Sequence, residues 1–150
     1  MKIKLDVSGE HYGEVKAVLA ECGIEIDDDA DFVLSENNKY PDRLLVKDTL
    51  SNERLVLPVE DIVLIKTFRH TVEVNTQDKT YQALDRLYKV LNLLDPEKFL
   101  RISNSVVIAK DKVKSISPTL SMKFILTMTN GKKVDVTRSY YYIFKEYFGI

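Results

Sequence analysis

Arg69-His70, Ser103-Asn104-Ser105 and Arg138-Ser139 are three short polar stretches set into strand-like, basic surroundings. An arginine can donate two hydrogen bonds to O6 and N7 of guanine, and an asparagine can make a bidentate pair with adenine. A histidine donates or accepts according to its tautomer. This chemistry suits base edges in a nucleic-acid groove. Each stretch falls at a bend or a strand end, where side chains project outward from a rigid scaffold. Lys66, Arg101, Lys110, Lys112 and Lys114 supply positive charge that would meet phosphates and set register without reading sequence. Structural roles compete at each position: Asn104 as a turn cap, Arg138 as an anchor for the last helix, His70 as a half-buried strand residue.

Other chemistry lacks its actors. Five glycines, at 9, 13, 23, 131 and 149, form neither GxGxxG nor GxxxxGK, so no phosphate-cradling loop is expected and nucleotide hydrolysis is improbable. His11, His70 and Cys22 stand in different segments, which gives neither a zinc ligand set nor a Cys-His dyad. No cofactor, metal or catalytic residue is expected. The acidic run Asp27, Asp28, Asp29 and Asp31 offers oxygen ligands for a hard cation, with a solvated loop as the alternative. An enzyme built on it would have no accompanying base or nucleophile.

The elements that must position the polar stretches follow from periodicity. In Lys2 to Val7, Ile3, Leu5 and Val7 alternate with polar residues as one face of a strand. Ser8 then caps a helix whose face holds Tyr12, Val15, Leu19 and Cys22, closed by Gly23, which makes Cys22 a core residue. Ile24 to Ile26 and Phe32 to Leu34 complete a small β-α-β-like unit, with a joint at Asn37 to Asp42. Beyond it lie strands at Leu44 to Lys47, Arg54 to Leu57, Ile62 to Thr67, Thr71 to Thr76 and Lys79 to Ala83. Leu84, Leu87, Tyr88 and Leu91 predict a helix face, and Asp95-Pro96-Glu97 a helical turn. Lys123 to Thr129 and Lys132 to Thr137 flank Asn130-Gly131, a pair suited to the positive φ angles of a two-residue hairpin turn. A last helix from about Ser139 places Tyr140, Ile143, Phe144, Tyr147 and Phe148 inward.

With 150 residues, 45% hydrophobic and 30% charged, the chain is an ordinary globular one, which excludes disorder and collagen-like repeats. The net charge of -1 conceals an asymmetry. Residues 1 to 44 hold 5 Lys+Arg against 11 Asp+Glu, and residues 45 to 150 hold 17 against 12. A basic segment beside an acidic one suggests a polyanion-binding domain joined to a part repelled by that polyanion. The start MKIKLDVSGEHYG meets charge too early for a secretory signal, no apolar run could span a bilayer, and one cysteine cannot form an internal disulfide, so a cytoplasmic protein is expected.

In order, Glu60-Asp61-Ile62-Val63-Leu64-Ile65, Arg69-His70, Phe99-Leu100-Arg101-Ile102-Ser103-Asn104-Ser105-Val106-Val107, Val113 and Ile116, Phe124 to Leu126, Asn130-Gly131 and Val136-Thr137-Arg138-Ser139-Tyr140 resemble the LytTR DNA-binding domain family. The specificity lies in an F-x-R-x-x-x-S stretch, an N-G hairpin and an [ST]-R-x-Y helix start at the family's spacing, over about residues 45 to 150. The resemblance implies a C-terminal mainly-β domain with short helices; with the small α/β unit read at residues 1–44, the expected fold class is α+β. It also implies loops entering successive major grooves of duplex DNA. The family's base-contacting histidine, asparagine and arginine fall on His70, Asn104 and Arg138, beside Arg69, Arg101, Ser103 and Ser139. Many members have histidine where this chain has Ser103 and asparagine where it has Ala109, which bears on the DNA sequence preferred. The expected function is a non-enzymatic, response-regulator-like transcription regulator. It would bind promoter direct repeats in pairs as a homodimer, with residues 1–44 serving dimerisation or a regulatory protein partner. A protein-interaction module that has lost DNA binding is the rival.

Overall fold

Ile3 and Leu5 must leave water while Lys2, Lys4 and Asp6 need not, and the computed structural model accordingly has a strand, β1 (Lys2–Asp6), with those two residues buried. The structure describes residues 1–37 and 40–150, in two compact units, Met1–Lys39 and Tyr40–Ile150.

In the first unit α1 (Gly9–Glu21) carries the chain back to β2 (Glu25–Ile26), which pairs parallel with β1. β3 (Val33–Ser35) pairs parallel along the other edge, giving the order β2-β1-β3. Parallel neighbours need such a crossover, and α1 supplies the first. Gly23, at φ +73°, ends α1 as its residue type predicts. The helix face differs from expectation. Leu19 is buried and Val15 partly so, whereas Tyr12 and Cys22 are exposed. Cys22 is therefore not a core residue: three short strands cannot cover the whole stripe of a 13-residue helix, and among the described residues the buried core is Ile3, Leu5 and Leu19. Ser8 stands at the helix start without a side-chain cap; its N–H donates to Glu36 Oε1 at 2.6 Å.

The boundary expected at Leu44 lies earlier, because Arg43 and Leu44 open β4 (Arg43–Lys47), which pairs along its length with β5 (Arg54–Pro58) inside the second unit. Two residues of the expected joint, Asn38 and Lys39, lie outside the described residues. β6 (Leu64–Phe68), β7 (Thr71–Asn75), β8 (Thr80–Ala83), β9 (Phe99–Arg101) and β10 (Val106–Ala109) complete a seven-stranded antiparallel sheet, in the order β5-β4-β8-β7-β6-β10-β9. β11 (Val113–Pro118), β12 (Phe124–Met128) and β13 (Lys133–Val136) form a second sheet. With α2 (Leu87–Asn92) and α3 (Tyr141–Phe148), the unit is mainly β with short helices, the fold class the sequence predicts.

β10 has four consecutive apolar residues because both its faces are covered. Val107 and Ala109 enter one core with Ile65, Val74 and the α2 residues Leu87 and Val90. Val106 and Ile108 enter another with Leu64, Leu126, Met128 and Phe144 of α3. Two helix phases differ from the sequence reading. α2 starts only at Leu87, after strand β8, so Leu84 and Tyr88 are exposed and Val90 and Leu94 are buried instead. A 3-10 turn over Arg138–Tyr140 precedes α3 and advances its phase, so Ile143 is exposed while Tyr141 packs inward beside Phe144 and Phe148.

The Asn130-Gly131 hairpin is also built differently. Only Gly131 has positive φ, at +84°, and its N–H donates to Met128 O at 2.9 Å, as in a three-residue loop with glycine in the left-handed position. The tight turn with two positive φ angles occurs elsewhere, at Arg69-His70.

Candidate nucleic-acid interface

Phe68 and Thr71 pair as the last rung between β6 and β7, which leaves Arg69 and His70 as a two-residue hairpin turn. Both are exposed, at φ +50° and +65°. Residues with a Cβ rarely occupy this region, and Asn-Gly or Asp-Gly is the usual solution for such a turn. The neighbouring strands hold the strained turn and push both side chains out. The Arg69 guanidinium lies 5.2 Å from the Phe68 ring centre, and the Lys66 ammonium lies 5.7 Å from it.

The second loop joins β9 to β10. Ile102 is fully buried and anchors it, and Ile102 N–H donates to Val106 O at 3.0 Å. Arg101 Nε donates to Ser103 O at 3.1 Å, and its Nη2 donates to the Asn104 carbonyl. Arg101 thus clamps the loop it precedes. Ser103 is buried, its hydroxyl 3.4 Å from that of Ser105 and accepting from Ser105 N–H at 3.3 Å. Asn104 is the exposed tip.

The third loop follows β13, where Arg138 and Ser139 are exposed in the 3-10 turn. Three hydrogen bonds tie the loops together. Thr67 N–H donates to Ser105 O at 2.8 Å, joining the first to the second. Thr137 N–H donates to Ile102 O at 3.0 Å, and Tyr140 Oη donates to Asn104 Oδ1 at 3.2 Å, joining the second to the third. Arg69, His70, Asn104, Arg138 and Ser139, separate in sequence, therefore share one end of the second unit.

The lysines divide. Lys66 lies on β6 close to the turn. Lys110 and Lys112 follow the far end of β10, roughly 13 Å along the strand from the second loop at about 3.3 Å per residue. There Lys110 Nζ sits 4.3 Å over the Tyr147 ring. Lys114 belongs to the far end of β11, whose opening residue Val113 pairs with Met128. These three lysines do not join the loop end. Lys123 does: it is exposed and directly precedes Phe124, which pairs with Val136 just before the third loop. Sequence reasoning missed Lys123, since only the hairpin register brings it there. It placed Tyr140 on the buried side of the last helix, and the ring does pack against the core, but it passed over the hydroxyl, which on a tyrosine at the rim of a core signals a polar partner.

In the first unit the acidic run turns on itself, with Asp29 N–H donating to Asp27 Oδ1 at 3.0 Å. Among the described residues, no group of three or more His, Cys, Asp or Glu is placed to hold a metal ion. No described helix is long and apolar enough to cross a membrane.

The profile of the LytTr DNA-binding domain matches residues 52–149. Sensory transduction protein LytT of Bacillus subtilis (strain 168) is 26% identical over 110 residues, covering 73% of this chain and 46% of its own. Transcriptional regulatory protein LytR of Staphylococcus aureus (strain N315) is 26% identical over 95 residues, covering 63% and 39%. The chain thus spans less than half the length of these relatives. Among solved structures, the LytTr DNA-binding domain of a methyl-accepting/DNA response regulator from Bacillus cereus superposes with a TM-score of 0.68 at 24% identity, over 73% of this chain and 99% of that one, and so shares the fold.

Proposed function

The chain belongs to the LytTr DNA-binding domain family, and from that premise we propose that it reads specific sequences of double-stranded DNA through the three hydrogen-bonded loops. The observation carrying this reading is their convergence: His70, Asn104 and Arg138, one from each loop, stand exposed at one end on backbones fixed by neighbouring strands. Each side chain has the donors that a major-groove base edge accepts, and each good base contact discriminates by about 1–3 kcal/mol. Rigid placement matters because side chains that need no further ordering cost less to bind. Arg101 and Ser103 act from beneath, shaping the second loop, while Lys66, Arg69, Lys123 and Ser139 line its surroundings for phosphate contact.

The first unit supports a protein-contact role. Its buried core among the described residues is Ile3, Leu5 and Leu19, while Val18, Phe32, Val33 and Leu34 are exposed on α1 and around β3. Apolar surface left so open on so small a unit fits a covering partner. We place a second copy there, holding paired domains on adjacent direct repeats so that the second binds at a raised effective concentration.

An electrophoretic shift titration with DNA from upstream of the protein's own coding region, against excess random duplex, tests the function. A complex that survives the competitor is expected. Equal competition by random duplex would leave only sequence-independent charge binding, and no complex at all would favour a protein-interaction module.

A further inference from the structure

Asn104 is an exposed side chain, yet it is held twice. Arg101 Nη2 grips its backbone carbonyl, and the Tyr140 hydroxyl donates to its Oδ1 at 3.2 Å. Tyr140 can do this because its ring is packed against the core formed by Phe124, Phe144 and their neighbours, while its N–H is bonded to Thr137 O at 2.9 Å. An aromatic body fixed in a core thus presents one hydroxyl at the loop surface.

We infer that Tyr140 is a positioning residue that sets which purine Asn104 accepts; this rests on the reading of Asn104 as a base contact. An asparagine amide on an exposed loop turns freely about its last torsion, which is broad and two-fold. Its Oδ1 has two lone pairs and its Nδ2 two N–H donors. When Tyr140 occupies one lone pair, the amide orientation is fixed, with one lone pair and both N–H groups left for DNA. Adenine matches that face, because its N7 accepts from Nδ2 and its N6 donates to Oδ1. Guanine presents O6 and N7, both acceptors. A fixed Oδ1 opposes O6, whereas a free amide swings to offer N–H groups to both. Tyr140 therefore acts on discrimination between purines more than on affinity.

The test is selection from a random duplex pool, followed by sequencing, with the full chain as parent, Asn104→Ala and Tyr140→Phe. The phenylalanine keeps the packed ring and removes only the hydroxyl. Asn104→Ala should flatten base preference at one position of each half-site. Tyr140→Phe should reduce the adenine over guanine preference at that same position by about twofold to tenfold, one hydrogen bond's worth, and leave other positions and the melting temperature unchanged. A Tyr140→Phe profile identical to the parent's, with Asn104→Ala flattened, overturns the inference alone. Uniform loss at all positions with a lowered melting temperature also overturns it, assigning Tyr140 to structure only. No change with Asn104→Ala removes the base-reading role on which the inference rests.

Discussion

Affinity and specificity separate residue by residue at the proposed interface. A phosphate contact releases counterions and so appears in the salt slope, whereas a base contact appears in the preference for one sequence. Lys123 stands beside the third loop, and Lys110 and Lys114 lie at the opposite ends of β10 and β11. Lys123→Ala should therefore flatten log K against log salt by about one unit with little change in sequence preference, and Lys110→Ala or Lys114→Ala should leave the slope as it is. Filter binding across a salt series distinguishes them; the opposite pattern would move the phosphate track to the far end of the sheets. The residue types of the proposed interface stand out in the sequence. His70, Asn104 and Arg138 stand out as polar breaks in strand-like surroundings, and the structure places all three at one end. The lysines were not legible, because nearness in sequence to Ser103-Asn104-Ser105 becomes distance in space once β10 runs away from the loop.

Elements decide how rigidly those residues are held. Arg69-His70 occupies a two-residue turn that Asn-Gly would fill without strain, and two left-handed residues with a Cβ cost about 1–2 kcal/mol each. Replacing the pair, Arg69→Asn with His70→Gly, should raise the melting temperature by roughly 2–4 °C for each kcal/mol relieved, while specific DNA binding falls. Calorimetry checks the first half, and an unchanged or lowered melting temperature would show the turn to be unstrained. The sequence placed a turn correctly here but assigned the double positive φ to Asn130-Gly131, because residue preference favours that pair. The pairing of β6 with β7 overrides preference at Arg69-His70. Helix phases escaped for a similar reason: spacing alone does not show the 3-10 turn ahead of α3, or the bend over residues 84–86 that delays α2 to Leu87.

The β4–β5 turn has an electrostatic latch of its own. Asp48 takes a hydrogen bond from the Lys79 ammonium at 2.8 Å and from the N–H groups of Leu50 and Ser51, which together hold its carboxyl well below the usual carboxylate range. The same bond pushes Lys79 up. A carboxyl depressed in the folded state contributes stability above its unfolded pKa, about 3.9, and loses that contribution as pH falls toward the folded value. Asp48→Asn should therefore melt earlier than the parent at pH 7, with the gap closing from about pH 4 downward. A gap that stays constant from pH 7 to pH 2 would mean that the charge of Asp48 contributes nothing.

At the scale of the molecule, an acidic unit of residues 1–39 is joined to a basic one of residues 40–150. An acidic unit near phosphates is repelled within the Debye length of about 8 Å, so the first unit should add nothing to half-site affinity. A chain of residues 40–150, which keeps β4 whole, should bind one half-site as tightly as the full chain and lose cooperativity on a double site. Sedimentation and binding isotherms check this, and equal steepness with equal mass would transfer the first unit's exposed face to some other protein. The two compact units divide within the joint read at Asn37 to Asp42, whereas the charge-based cut at Leu44 falls late, because the strand Arg43–Lys47 begins inside the charge-defined acidic segment.

The reading of DNA by three loop residues stands or falls on those side chains. Its most direct test is competition anisotropy with a selected duplex and a random one, using the parent, the single variants His70→Ala, Asn104→Ala and Arg138→Ala, and the triple variant, with circular dichroism on each. Every single change should cost about 1–3 kcal/mol on the selected duplex. The triple variant should bind both duplexes equally, at the parent's affinity for random DNA and with its fold intact. A folded triple variant that still prefers the selected duplex as strongly as the parent would show that other residues read the sequence.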